Sequence, residues 1–491
     1  MKTSTRLIIE LTMPFIVMAC YCLSCWMDGD KFYLVRCFSW SMILVIYAHF
    51  RLQRQVILFS PVNMFCLVYL TVPLTNFYYI ATDFESALFM ERISMYHDYV
   101  YLFEMASFYY LAGLLSLLAG YAIIAQPPVK PLQFSSERTI NSYVLLIVAA
   151  GLLGLGILNF VYNVFSLAGG NIISYMSNVA LRKEEFQEGG TALGYQFYYM
   201  GSYLITYHYV RLGRKAGLLL YGVILGGVLL MASSGRIYAT LAYLMSFVAI
   251  FYYVRYLKTG NTNTRKYVLY LFPLPLIGLA FYFLRIVSGM IAGGTTDDSV
   301  VEIMGNFSDL LGFYAIDKGN TPNVAVFMKI IDAWSVDHGY IFGKSLYSGV
   351  LNNLPSAIRP DDVNATSFMV RDLWYSNVAK GGALPTTAVG EMYMNFGPLG
   401  VFLGMFAVGM LIKLWFSFVI RSRNFWHYVA LVIVSLTFIA LYPKVDFTNL
   451  NPLDVIIAYM PILLVWGLTQ FLNTAAGDRS LRGKNIKPEI P

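Results

Sequence analysis

Glu391 is distinguished by its neighbours. It follows Gly390, comes shortly after Thr386 and Thr387, and stands just before an apolar stretch long enough to cross a bilayer. As chemistry, a carboxylate at such a junction is a general base or a group that orients an attacking hydroxyl. As structure, it is a first-turn carboxylate favoured by the helix dipole, worth about 0.3–1 kcal/mol. A second set of candidates is basic: Arg182, Lys183, Arg236, Arg285, Arg359 and Arg371. Arginine forks bind phosphate oxygens bidentately, and the pairing strengthens where water is scarce. The plainer reading is a cation that snorkels to headgroups or to a neighbouring carboxylate. His338 is the one histidine between residues 288 and 385. An imidazole there can act as a base, or can simply be solvated.

These groups are set in a chain that is 58% hydrophobic and only 12% charged, about half the charged share of a soluble domain. Apolar runs of eighteen residues or more recur along it, and about twenty such residues span a bilayer as a helix. The composition predicts an all-α, polytopic integral membrane protein. The net charge of +7 is a matter of topology and does not indicate a nucleic-acid partner, because the basic clusters sit in short joints between spans. Cys20, Cys22, Cys25, Cys37 and Cys66 fall within the first three spans, read as small core residues, and show no zinc spacing. No metal site, Walker motif, dinucleotide fingerprint or hydrolase elbow is found, and no cofactor is expected.

About twelve spans are expected: 7–26, 32–50, 56–81, 99–125, 141–166, 193–210, 216–233, 237–255, 267–287, 396–420, 425–442 and 454–473. The domain organisation follows from them. Residues 1–287 form an N-terminal bundle of about nine spans, 288–385 a large external loop, 386–474 a C-terminal bundle of about three spans, and 475–491 a tail. Basic joints such as Arg51–Gln55, Arg211–Lys215 and Arg421–Arg423 alternate with neutral or acidic ones. That pattern puts both termini in the cytoplasm and the long loop outside. Arg236 and Arg285 then lie at outer span ends, where a cation is disfavoured. Inside the loop, Thr321-Pro322 reads as a helix start, with Val326, Phe327, Ile330 and Trp334 on one face. Val300, Ile303, Met304, Phe307 and Leu311 make a second apolar stripe. Such short amphipathic helices are expected on the membrane surface or over a cavity. Lys413 is expected to snorkel towards the cytoplasmic end of its span.

Four stretches carry a family likeness: Gly169–Phe186, Ser233–Tyr238, Phe342–Asp362 (FGKSLYSGVLNNLPSAIRPDD) and Pro385–Phe402 (PTTAVGEMYMNFGPLGVF). Through them the chain resembles the Wzy-type polymerases of O-antigen, capsule and exopolysaccharide repeat units. The last stretch is the most specific, with its Gly-Glu pair and Asn-Phe-Gly-x-x-Gly turn entering a late span. Around Arg359 the likeness is looser, with Asp361-Asp362 where the family commonly has Lys-Pro.

The resemblance implies a GT-C-like fold in the bacterial inner membrane and a metal-independent glycosyltransferase without cofactors. The partners it implies are undecaprenyl-pyrophosphate-linked glycans, a chain-length regulator and a flippase. In the implied reaction a hydroxyl of one repeat unit attacks a glycan held on lipid pyrophosphate. Arg236, helped by Arg182, Lys183, Arg285 and Arg359, would face the pyrophosphate. Glu391, or failing it His338, would activate the acceptor. Asp28 and Asp30 are similar to the acidic pair of polyprenyl-phosphate-sugar transferases, although their joint is only a few residues long. The alternatives are an O-antigen ligase, which performs the same chemistry on another acceptor, and a flippase or transporter of lipid-linked glycans.

Overall fold

The computed structural model describes residues 2–53, 56–82, 98–125, 141–172, 192–212, 217–233, 237–259, 318–334, 339–351, 386–444 and 453–484, with the single positions 84, 175, 267 and 447. Among the described residues the chain is helical and has no strand. The helices are α1 (Lys2–Met27), α2 (Tyr33–Leu52), α3 (Pro61–Thr82), α4 (Tyr99–Ile123), α5 (Ser142–Ala168), α6 (Ala192–Arg211), α7 (Leu218–Ser233), α8 (Ile237–Thr259), α9 (Lys318–Lys329), α10 (Lys344–Leu351), α11 (Thr387–Leu399), α12 (Met405–Ser422), α13 (Phe425–Val434) and α14 (Leu453–Lys484). Seven helical stretches among the described residues are long and apolar enough to cross a bilayer, and three shorter apolar helices accompany them. The protein is therefore a helical membrane protein.

The helices are organised into two compact units. Unit 1 comprises Met1–Pro127, Ile303–Phe418 and Ser435–Pro452; unit 2 comprises Pro128–Glu302, Val419–Val434 and Leu453–Pro491. Each is drawn from interleaved segments. In unit 2, α5 packs along α6, and α14 packs on both and on α13. α5 begins at Asn141, whose side chain accepts from the Tyr143 amide, and ends at Gly169, whose φ of 58° lets its amide and that of Gly170 close on Phe165 and Val164.

Unit 1 is built around α4. α2, α9 and α11 all pack on it. α3 opens with Ser60 as cap and Pro61 in the first turn, then widens into a π-helical turn at Val72–Tyr78, where Pro73 lacks the amide of a regular ladder. Three further π turns occur in this unit, at Ile330–Trp334, Gly400–Gly404 and Ser435–Ile439. Cys22 and Cys37 form a disulfide between α1 and α2, a departure from the reading of all five cysteines as core filler. The loop helix around Phe327 also departs from expectation. It begins at Lys318, ahead of Thr321, and Val324 to Met328 are all buried, with Phe327 against Tyr110. It is packed inside unit 1 along Val324–Met328. The stripe from Val300 to Leu311 lies outside the described residues.

The sharpest reversal lies in Asn395–Gly400. Gly397 has φ 66° and ψ −152°, a state open in practice only to glycine. Pro398 begins the next turn, where a missing amide is no loss. A Cβ on Gly400 would then run into the Met392 carbonyl oxygen, and one on Gly404 into the Met392 sulfur. In a straight helix residues 392 and 400 are about 12 Å apart, so the chain has folded back on itself. Glu391 therefore lies level with the first turns of the following span. α4 and α12 also cross on glycines, since a Cβ on Gly120 would meet the Phe406 carbonyl and one on Gly409 that of Leu117. Gly400→Val should force the two arms of the reversal apart and cost about 1–3 kcal/mol. Thermal unfolding of the purified protein checks this, with the exposed Leu403→Ala expected to leave the transition unchanged.

Candidate functional site

The first arm of α11 is buried from Thr387 to Asn395. Thr387 starts it with φ 63°, a left-handed conformation that a β-branched residue adopts at a cost of about 1–3 kcal/mol. Its hydroxyl oxygen accepts from the Gly390 amide at 3.3 Å and from the Tyr110 hydroxyl at 3.0 Å, while the Ala388 amide donates to the Tyr442 carbonyl at 3.2 Å. These contacts hold the strained residue in place as a helix cap. Gly390 is tight against α9: a Cβ there would meet Phe327 at 3.3 Å and Ile330 at 3.4 Å.

One turn on, Glu391 is 0% exposed. The Ser345 hydroxyl donates to its Oε1 at 2.8 Å, and the Phe447 amide donates to its Oε2 at 2.7 Å. The Tyr442 hydroxyl reaches the same Oε2 at 3.4 Å. All three groups donate, so the side chain is held as an acceptor on both oxygens, the arrangement that lets a carboxylate be buried. Asn395, one turn further, donates from Nδ2 to the Glu391 carbonyl at 2.8 Å and to Ser345 Oγ at 2.6 Å, and accepts the Gly343 amide at 2.7 Å. The Ile341 and Phe342 amides donate to the Met394 and Asn395 carbonyls. The break at Gly397-Pro398 interrupts the ladder that would otherwise serve those two carbonyls, so the 341–345 segment supplies the missing donors. Phe342 takes φ 44° to do so, and Tyr340 fills the space beside Gly397.

Glu391 thus joins three stretches distant in sequence: its own helix, the start of α10 and the Tyr442–Phe447 turn. In this arrangement its carboxylate positions chain and does not face an open surface. Nor is it in the first turn of α11. Lys444 lies in the same turn, half-buried, and burial pushes its ammonium down to about 8. Asp30, by contrast, is occupied elsewhere in unit 1, accepting from Arg36 Nε at 2.6 Å and from the Phe32 amide at 2.9 Å. Among the described residues no group of three His, Cys, Asp or Glu side chains is placed to hold a metal ion.

Of the residues singled out in the sequence, Glu391 is placed as above, whereas Arg182, Lys183, Arg236, Arg285, His338, Arg359 and Arg371 lie outside the described residues. Ser345, Asn395, Tyr442 and Lys444 were not singled out individually. Ser345 and Asn395 fall inside the two motif stretches, so a signal existed for them. Nothing in the sequence pairs the Tyr442–Phe447 turn with Glu391. No family model matches the chain, and no curated protein or solved structure matches it either.

Removing the Ser345 hydroxyl takes one donor from Glu391 and one acceptor from Asn395, a loss of about 1–3 kcal/mol. Ser345→Ala should therefore lower the unfolding temperature. Combined with Glu391→Gln, it should cost less than the sum of the two single changes, because both break the same network.

Proposed function

We propose that the protein is a membrane glycosyltransferase that lengthens a glycan carried on lipid pyrophosphate, in the manner of Wzy-type repeat-unit polymerases. One observation carries this reading. Two of the stretches on which the family likeness rests, Phe342–Asp362 and Pro385–Phe402, meet at the Ser345–Glu391–Asn395 network although about fifty residues separate them. A likeness spread over unconnected surface positions would have no reason to converge. The Asn-Phe-Gly-Pro-Leu-Gly turn has a physical purpose in the same place, as the reversal that brings Glu391 and Asn395 to the 342–345 segment.

The chemistry follows from an activated donor. An acceptor hydroxyl attacks the anomeric carbon, the bond from that carbon to the pyrophosphate oxygen breaks, lipid pyrophosphate departs, and the hydroxyl proton passes to a base. With so good a leaving group, the protein's task is to orient two glycans and to stabilise charge on the pyrophosphate. We assign the charge to Arg236, assisted by Arg182, Lys183, Arg285 and Arg359. Because both Glu391 oxygens are engaged, Glu391 is assigned to positioning. His338 is assigned as the base. The count of about twelve spans, a GT-C-like fold, inner-membrane location with the long loop outside, and a chain-length regulator and flippase as partners belong to the same proposal.

Arg236→Ala tests it. With membrane levels intact, the surface glycan should collapse from a ladder to a single repeat unit, as expected when one charge-stabilising donor worth about 10²–10³ in rate is lost. An unchanged ladder would remove Arg236 from the site. Loss of the single unit as well would favour ligation or transport.

A further inference from the structure

Unit 1 brings four tyrosines together from α4, α11 and the segment ahead of α10. Tyr101 and Tyr109 both stand on α4, about 12 Å of helix apart, and helical side chains lean towards the N-terminus, so Tyr109 inclines towards Tyr101. The Tyr109 ring meets that of Tyr393 on α11 edge-on, with centroids 5.3 Å apart. Both close on Phe327 of α9, at 6.3 and 5.9 Å. Tyr340 completes the set. A Cβ on Gly397 would lie 2.6 Å from its Cζ and its Oη, so the glycine is what admits the end of that ring. The hydroxyls are close enough to act on one another electrostatically: that of Tyr393 feels the other three, and that of Tyr109 feels Tyr101 and Tyr340.

The rings are packed, but the hydroxyls are not used. Tyr109 is 6% exposed and Tyr393 7%, whereas Tyr101 is 58% exposed. Among the described residues none of the four hydroxyls makes a hydrogen bond, and none belongs to the buried polar atoms left without a partner. The tips of Tyr109, Tyr340 and Tyr393 therefore reach the surface while their rings are held below it. A ring used for packing alone gains nothing from such a hydroxyl, and an interfacial belt turns its rings to lipid instead of burying them in one another. The groups that act electrostatically on Tyr109 and Tyr393 are tyrosines of this set, and Glu104, also on α4, is not among them. The patch is polar without being charged.

One exposed ring beside three hydroxyl tips, each able to donate and to accept, is complementary to a ligand that is polyhydroxylated, apolar on one face and uncharged. A neutral pyranose is all three. Its ring C–H bonds can lie on the negative face of Tyr101, and its hydroxyls can pair with the phenols. We propose that Tyr101, Tyr109, Tyr340 and Tyr393 form a subsite for one neutral sugar residue of the glycan. Tyrosine suits the task because a rigid side chain, already held by packing, loses little entropy when a ligand arrives. The inference rests on the glycosyl-transfer reading for the source of the sugar, and it assigns these residues to binding and not to the transfer step. Two of them, Tyr340 and Tyr393, belong to the segments that the Met394 and Asn395 carbonyls join.

The test is saturation-transfer NMR on the full-length protein in phosphatidylcholine nanodiscs, which carry no sugar. The probes are the methyl glycosides of glucose, galactose and N-acetylglucosamine, with methyl glucuronoside as the anionic comparison. A neutral glycoside should receive saturation from the protein and bind more tightly than the glucuronoside. Tyr101→Ala should weaken that binding about two- to tenfold, the scale of one aromatic contact. Combining Tyr109→Phe, Tyr340→Phe and Tyr393→Phe keeps every packed ring, so it should weaken binding with the unfolding temperature unchanged. Tyr143→Ala, at an exposed tyrosine of α5 in unit 2, should alter nothing. No binding of any neutral glycoside, binding that survives both sets of changes, or equal binding of the glucuronoside would overturn the proposal. In a reconstituted elongation assay the same variants should raise KM and leave kcat unchanged. Sugar binding by a wild type that elongates nothing would sink the glycosyl-transfer reading and leave the subsite. Elongation with KM unchanged in the variants would sink the subsite and leave the reading.

Discussion

A carboxylate taken out of water must find its donors in the protein, and Glu391 finds them in three places at once. Within unit 1, that requirement ties separate stretches to α11. The Ser345 hydroxyl, the Phe447 amide and the Tyr442 hydroxyl must all converge on one side chain, so the start of α10 and the turn after α13 are tied to the first arm of α11. Breaking such a network is costly because Ser345 and Tyr442, two of the donors left behind, are themselves buried. The reversal at Gly397 makes the convergence possible, since it exposes two helix-end carbonyls that the 341–345 segment then occupies.

Around this network the backbone departs repeatedly from regular geometry. Thr387 and Phe342 have positive φ, and among the described residues four π-helical turns lie in unit 1. Strain of this kind persists only where the surroundings over-determine it, and it gathers where geometry serves function. The glycine contacts Gly120–Phe406 and Gly409–Leu117 do the complementary work, holding α4 and α12 at backbone distance so that the irregular segments rest against a stiff frame.

Much of the architecture was legible in the sequence. Apolar run length points to a helical membrane protein, because no soluble core can consume so many such residues, and seven helical stretches among the described residues are long and apolar enough to cross a bilayer. The Gly-Glu pair and the Asn-Phe-Gly-Pro-Leu-Gly run fall at a helix start and a chain reversal, and Thr387 caps its helix. What pattern could not convey was partnership over long range. Glu391 looked like a carboxylate at an open edge, since nothing in its own neighbourhood announces Ser345 or the Phe447 amide. Helix α9 reads as amphipathic from its one apolar face, Val326, Phe327, Ile330 and Trp334, whereas Gly390 offers a close-packed seat for Phe327. Lys413 looked like a snorkelling cation because its rotamer towards Tyr121 depends on a helix far away in sequence.

The central claim is that this frame serves glycosyl transfer on a lipid-pyrophosphate donor. It is tested most directly by reconstituting the purified protein in liposomes with lipid-pyrophosphate-linked repeat units and no other protein. The account predicts glycans of two, three and more units, with one lipid pyrophosphate released for each bond formed. Substrate that stays one unit long, whether it remains in place or moves to the other face of the bilayer, would contradict it.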